Sequence, residues 1–159
     1  MNEIPLFKFL VEKNQGNLLP RKAHANDTGW DVFSRLEEII LRPGQYAKIP
    51  VGFRVFAPEG WWLELRPRSS TFVKKQLHAL YGVIDEGYEN ELVFACQYIP
   101  DINAMGQDLV IRNGDAIGQL VPVKRQEMIV EEITEEEYQR LVSQRRGSRG
   151  TGGFGSTGK

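Results

Sequence analysis

Residues 46–66 read YAKIPVGFRVFAPEGWWLELR. Before the break at Pro58, Glu59 and Gly60 the odd positions hold Ile49, Val51, Phe53 and Val55, and after it the same phase returns as Trp61, Leu63 and Leu65. A period of two belongs to extended chain, whose successive side chains point to opposite faces. The stretch therefore predicts strands that share one apolar face. Proline and glycine at the break predict a turn, and the sequence reading closes residues 46–66 as a hairpin.

The same pattern continues outward. Leu92, Phe94, Cys96 and Tyr98 form another alternating run, and short apolar runs follow at Leu109–Ile111 and Ile117–Val123, set off by an Asn-Gly-Asp turn and by proline. Many brief strands with turn signals between them predict an all-β domain, a sandwich, jelly roll or barrel. One short helix is expected near the C-terminus. Thr134 followed by Glu137 fits a capping box, acidic residues crowd the first turn, and Tyr138, Leu141 and Val142 fall on one face.

Bulk properties narrow the functional classes. A chain of 159 residues with 41% hydrophobic content suits one domain with a sizeable core. Its formal net charge of −1 gives no footprint for duplex nucleic acid, although Arg145, Arg146 and Arg149 form a local basic group. The single cysteine, Cys96, has no partner for an intramolecular disulfide. Together with the lack of a charged-then-apolar leader or a long apolar run, it predicts a soluble, cytoplasmic protein. His24 and His78 stand far apart without ligands at metal-binding spacing, which predicts no zinc cage.

The last residues, 145–159, read RRGSRGTGGFGSTGK and have no periodicity. By composition alone such a segment is a linker or tail. Its non-glycine residues suit a nucleotide better: Arg149 offers a fork for phosphate, Ser156 and Thr157 offer hydroxyls, Phe154 offers a flat apolar face, and glycines allow close backbone approach. No Walker-type arrangement accompanies them. Four further stretches have ordinary readings when taken singly. TGWDVFS (Thr28–Ser34) places a carboxylate at a strand end, and PRSS (Pro67–Ser70) suits the cap of a short helix or a phosphate grip. YGVIDEGYENEL (Tyr81–Leu92) reads as a hairpin with Asp-Glu-Gly at its tip, and NGDAIGQLV (Asn113–Val121) as a turn into a strand.

Taken together and in this order, the five stretches resemble the signature set of the trimeric all-β dUTPase family, from about Ala25 to Gly158. The resemblance implies a distorted jelly roll assembled as a homotrimer with three active sites shared between subunits, each built from residues of all three chains, with a β domain over residues 1–146 and a glycine-rich lid over 147–159. It implies Mg²⁺-assisted hydrolysis of dUTP to dUMP and pyrophosphate, which limits uracil in DNA and supplies dUMP for dTMP synthesis. By the same resemblance Asp85 is the catalytic carboxylate that orients and deprotonates the attacking water. The backbone around Ala79, Gly82, Val83, Ile84 and Asp85 reads the uracil edge, and Tyr88 packs under the sugar and excludes a 2′-hydroxyl. Arg68, Ser69, Ser70 and Gln119 hold the phosphates, and Arg149, Phe154, Gly155, Ser156 and Thr157 close over the nucleotide. Mg²⁺ then contacts no side chain directly, with Asp31 reaching its water shell. No membrane is implied, and a protein partner is not indicated.

An aspartate in ordinary surroundings is a feeble base at neutral pH, so positioning of the water should dominate its contribution. The chain departs from the family pattern in two places. Ala79 stands where many members carry Asn, and Glu89-Asn90 replaces a common Arg-Gly. Alternatives are a dCTP deaminase-like enzyme, which the Asp85 hairpin and complete lid motif disfavour, a triphosphatase for another deoxypyrimidine nucleotide, and a regulatory module of the same fold that binds proteins.

Overall fold

The computed structural model describes residues 4–12, 19–145, 147 and 150. Among these, eleven strands and two helices follow one another as β1 (Lys8–Val11), β2 (Trp30–Phe33), β3 (Glu38–Leu41), β4 (Tyr46–Pro50), β5 (Phe53–Phe56), β6 (Trp61–Pro67), α1 (Ser69–Val73), β7 (Leu77–Ala79), β8 (Gly82–Ile84), β9 (Val93–Tyr98), β10 (Leu109–Arg112), β11 (Ala116–Lys124) and α2 (Glu135–Gln144). The chain divides into two compact units between Arg125 and Gln126, and all the strands lie in the first.

The strands form a four-stranded sheet in the order β2-β11-β6-β8, a three-stranded sheet β4-β9-β7, and two pairs, β1-β5 and β10-β3. All the pairings are antiparallel, and none joins consecutive strands. β4 pairs with β9 (Tyr46↔Gln97) and β6 with β11 (Pro67↔Gly118). Such long-range antiparallel pairing, with each link crossing between sheets, is jelly-roll topology.

The alternation over 46–66 is borne out in burial: Ile49, Val51, Phe53, Val55, Leu63 and Leu65 all lie in the core. The expected hairpin is not formed. Pro58–Gly60 makes a turn, with the Trp61 N–H donating to the Pro58 carbonyl at 3.1 Å, but β5 continues to β1 and β6 to β11 and β8. Facing sheets share one core, so the apolar phase is the same whether the chain folds back or crosses over. Residues 81–92 need the same correction. After β8 the chain turns at Asp85–Tyr88, the Tyr88 N–H donating to the Asp85 carbonyl at 3.1 Å, and then enters β9 in the other sheet.

Phe53, Phe94, Leu41, Ile49, Leu77, Leu92, Ile111, Ile117 and Leu120 are fully buried and fill the space between sheets. Gly118 permits that packing, because a Cβ there would lie 2.9 Å from Cδ2 of Phe94 and 3.0 Å from the Arg66 carbonyl.

In the second unit, α2 begins as expected. Its cap, Thr134, accepts the Glu137 N–H at 3.2 Å, and Glu135, Glu136 and Glu137 occupy the positive end of the helix dipole. None of its residues is buried.

Candidate active site

PRSS marks a strand-to-helix junction. β6 ends at Pro67, Arg68 takes extended backbone as the helix cap without a side-chain cap bond, and Ser69 and Ser70 open α1. The serines thus stand in the first turn of the helix rather than at its cap. Asp31 of β2 approaches from the same sheet, one carboxylate oxygen 2.9 Å from Nε of Arg68. Gln119 of β11 pairs with Asp31 on one side and Arg66 on the other, and its Nε2 donates to the Pro67 carbonyl at 3.1 Å. Asp31, Arg68, Ser69, Ser70 and Gln119, drawn from three sequence motifs, therefore gather at one end of the four-stranded sheet. A guanidinium, hydroxyls and a carboxamide there form a donor-rich patch suited to a polyphosphate.

Gly29 keeps this cluster in shape. Any Cβ at that position would run into the carboxamide of Gln119.

The other predicted residues lie elsewhere. Gly82, Val83 and Ile84 form β8, an edge strand that pairs only with β6 among the described residues. One side of an edge strand presents backbone N–H and C=O groups to an incoming partner, as reading a base edge by main chain requires. Val83 is 62% exposed and Tyr88 36%. Ala79 ends β7 opposite Cys96 in the other sheet, half-buried, and supplies no polar side chain. Asp85 is exposed and lines a depression of about 320 Å³ with Trp61, Trp62, Val83, Glu86, Gly87 and Arg125. Tyr88 faces a neighbouring one of about 420 Å³, with Phe9, Phe56 and Arg54 in its wall.

The Asp85 turn and the Arg68 cluster do not meet within one chain. The β6–β8 register sets Ile84 against Leu63, so Asp85 follows on beside Trp62. From Trp62 to Pro67, just before Arg68, is five strand residues, roughly 17 Å at about 3.3 Å each. A water held by Asp85 within hydrogen-bond reach, about 3 Å, cannot also lie against phosphates gripped at the far end of the same strand.

No three His, Cys, Asp or Glu side chains converge as a metal cage among the described residues. Asp31 is the one carboxylate of the phosphate cluster, and it is already paired with Arg68. That donor set fits a cation carried by the polyphosphate and its waters, since Mg²⁺ keeps much of its hydration and takes few protein carboxylates.

Arg149, Phe154, Gly155, Ser156 and Thr157 lie outside the described residues. Sequence reasoning overlooked Trp62, Glu86 and Arg125. Glu86 and Arg125 meet across 39 residues of sequence, a separation over which no local pattern signals contact.

The model of the dUTPase family matches residues 17–158. The chain is 35% identical to a deoxyuridine 5'-triphosphate nucleotidohydrolase of Clostridium novyi (strain NT), the match covering 95% of this chain and 99% of that protein. It is 34% identical to the protein of the same name in Bartonella bacilliformis, with 99% and 92% covered. Its fold resembles that of the Staphylococcus bacteriophage 80alpha dUTPase in complex with dUpNHpp, at a TM-score of 0.79 and 24% identity over 97% of this chain and 99% of that one. The dUTPase of phage phi11 of S. aureus has a TM-score of 0.71 at 24% identity, over 82% and 97% of the two chains. A mutant of the phi11 protein coordinates a structural Mg(II) ion.

Proposed function

This chain belongs to the dUTPase family, and from that membership we infer that it is a dUTP diphosphatase, hydrolysing dUTP to dUMP and pyrophosphate. The activity removes a precursor of uracil in DNA and yields dUMP for dTMP synthesis. The observation that carries the account of its site is the separation along β6: the Asp31–Arg68–Gln119 cluster and the Asp85 turn stand at opposite ends of one strand.

A working site therefore joins the Arg68 end of one chain to the Asp85 turn of another, which a closed homotrimer provides threefold. Arg68, held by Asp31, takes the phosphate chain together with Ser69, Ser70 and Gln119. The outward edge of β8 pairs with the uracil, and a cytosine there leaves donors facing donors, a costly mismatch once buried. Tyr88 closes the space beside the sugar where a 2′-hydroxyl would stand. Asp85 aims a water at the α-phosphorus opposite the leaving pyrophosphate, and its carboxylate takes the proton. Asp31, beside the phosphates, would reach the water shell of a Mg²⁺ bound to the triphosphate, which would supply charge neutralisation for the leaving pyrophosphate. Residues 147–159 act as a lid, with Arg149, Ser156 and Thr157 on the phosphates, Phe154 stacked on the base, and Gly155 allowing close approach. Closing the lid costs conformational entropy, which its contacts with the phosphates and base offset only when nucleotide is present.

The test is pyrophosphate release with Mg²⁺ from dUTP, dCTP, dTTP and UTP in parallel, with ammonia from dCTP followed alongside, for the full chain and for a chain ending at Arg146. The full chain should prefer dUTP strongly, and the shortened chain should stay folded but turn over poorly. Preference for another base would move the specificity assignment away from β8, ammonia release would indicate a deaminase, and full activity of the shortened chain would refute the lid.

A further inference from the structure

The residue after Asp85 ties its turn to the rest of the domain. Oε2 of Glu86 accepts the Gly60 N–H at 2.9 Å and Nη1 of Arg125 at 2.6 Å, while the Arg125 N–H donates to the Gly60 carbonyl at 2.8 Å. These three bonds close a ring that joins the turn after β8, the turn before β6 and the residue following β11. Gly60 can face the ring because its backbone is left-handed, at φ +76°, where a side chain would be strained.

The ring joins a single carboxylate oxygen to donors on two other elements. Glu86 is thus a fixed point, with Asp85 on one side and, two residues on, Tyr88 on the other. The Tyr88 N–H bond to the Asp85 carbonyl makes the turn rigid about that point. The Glu86 and Arg125 side chains are 31% and 50% exposed. A pair so exposed adds little to global stability. Its effect is local, because a displacement of about 1 Å at a reacting group can cost on the order of 10²-fold in rate.

We propose that Glu86 is a positioning residue of the reaction, holding the Asp85 turn through Gly60 and Arg125 so that the water oriented by the Asp85 carboxylate meets the α-phosphorus in line. The proposal rests on the assignment of Asp85 as the water-orienting group. It extends that assignment by naming what sets the aim of the turn.

The experiment compares Glu86→Ala, Glu86→Gln, Arg125→Ala, Arg125→Lys and the double variant Glu86→Ala/Arg125→Ala with the unmodified full chain. Pyrophosphate release gives kcat and KM, and quenching of Trp61 and Trp62, which line the same depression, reports binding of a non-hydrolysable dUTP analogue. Glu86→Ala should lower kcat by about 10- to 100-fold, with KM and analogue affinity within about threefold of the original. Glu86→Gln retains an acceptor for Gly60 and Arg125→Lys retains a cation, so each should recover part of the loss. The double variant should lose less than the product of the two single losses, since the Glu86–Arg125 ion pair is broken in both.

Unchanged kcat in Glu86→Ala would overturn the proposal, as would losses in the two single variants that simply multiply in the double. If Glu86→Ala does not fold, Glu86→Gln and its cycle with Arg125→Lys apply the same criterion. Asp85→Asn runs alongside as a control: its inactivity with Glu86→Ala fully active defeats only the positioning role, whereas full activity of Asp85→Asn defeats the assignment of Asp85.

Discussion

Arg68 and Asp31 show how one contact can matter more for function than for stability. Their ion pair at 2.9 Å is partly exposed, and such pairs are worth about 0–1 kcal/mol to folding. In the proposed site it would hold the guanidinium fork in one orientation before a phosphate arrives, which would lower the ordering cost of binding. Cys96 represents the opposite case, a buried group without a place in the chemistry. Burial pushes its thiol up from an ordinary 9.0 to about 11. The thiolate is the reactive form, so iodoacetamide at about pH 8 should leave Cys96 unmodified in the folded protein and label it quickly after denaturation. Rapid labelling of the native protein would contradict the packing around β9. The folded state holds this proton more tightly than the unfolded state. Its contribution to stability is therefore fully present below about 9.0 and is lost as the pH rises through about 11.

At the scale of the element, a bulge in β11 shapes the cluster around Asp31, Arg68 and Gln119. The register with β2 shifts between Ala116 and Gly118, and Ile117 falls outside both ladders of the strand. A bulged residue leaves the ladder incomplete, and here the buried Thr71 hydroxyl donates to the Ile117 carbonyl at 2.6 Å. That bond fastens α1, which carries Ser69 and Ser70, to the strand that carries Gln119. Thr71→Val keeps the shape and removes the donor. It should cost about 1–3 kcal/mol in unfolding free energy and raise KM for dUTP more than it lowers kcat. Urea titration and steady-state kinetics check both, and an unchanged KM would separate the bulge from phosphate binding. Burial was legible in the sequence at this scale, because Ile49 to Leu65 and Leu92 to Tyr98 alternate against a single core. Pairing was not. Turn residues such as Pro58–Gly60 look alike whether a chain folds back or crosses to a facing sheet, and the Ile117 bulge carries no local sign in an otherwise regular run.

On the scale of the whole molecule, jelly-roll pairing brings together residues far apart in sequence, such as Asp31 with Arg68 and Gln119 with Pro67. The residues of the Arg68 cluster were singled out through motif resemblance, and what the structure adds is that three separate motifs bring them to one end of the sheet. Glu86 and Arg125 were not, because their meeting is a product of topology alone. The same topology keeps Asp85 about 17 Å or more along β6 from Arg68, beyond any joint action within a chain. The proposed site is therefore one shared between subunits. Asp85→Asn and Arg68→Ala trimers, each nearly inactive alone, can be unfolded together in equal amounts and refolded. A site that takes Asp85 from one chain and Arg68 from another regains both groups in about one case in four by random assortment. Pyrophosphate release from dUTP by the mixture should recover to about a quarter of the unmodified rate, and activity no greater than that of the separate variants would contradict the shared site.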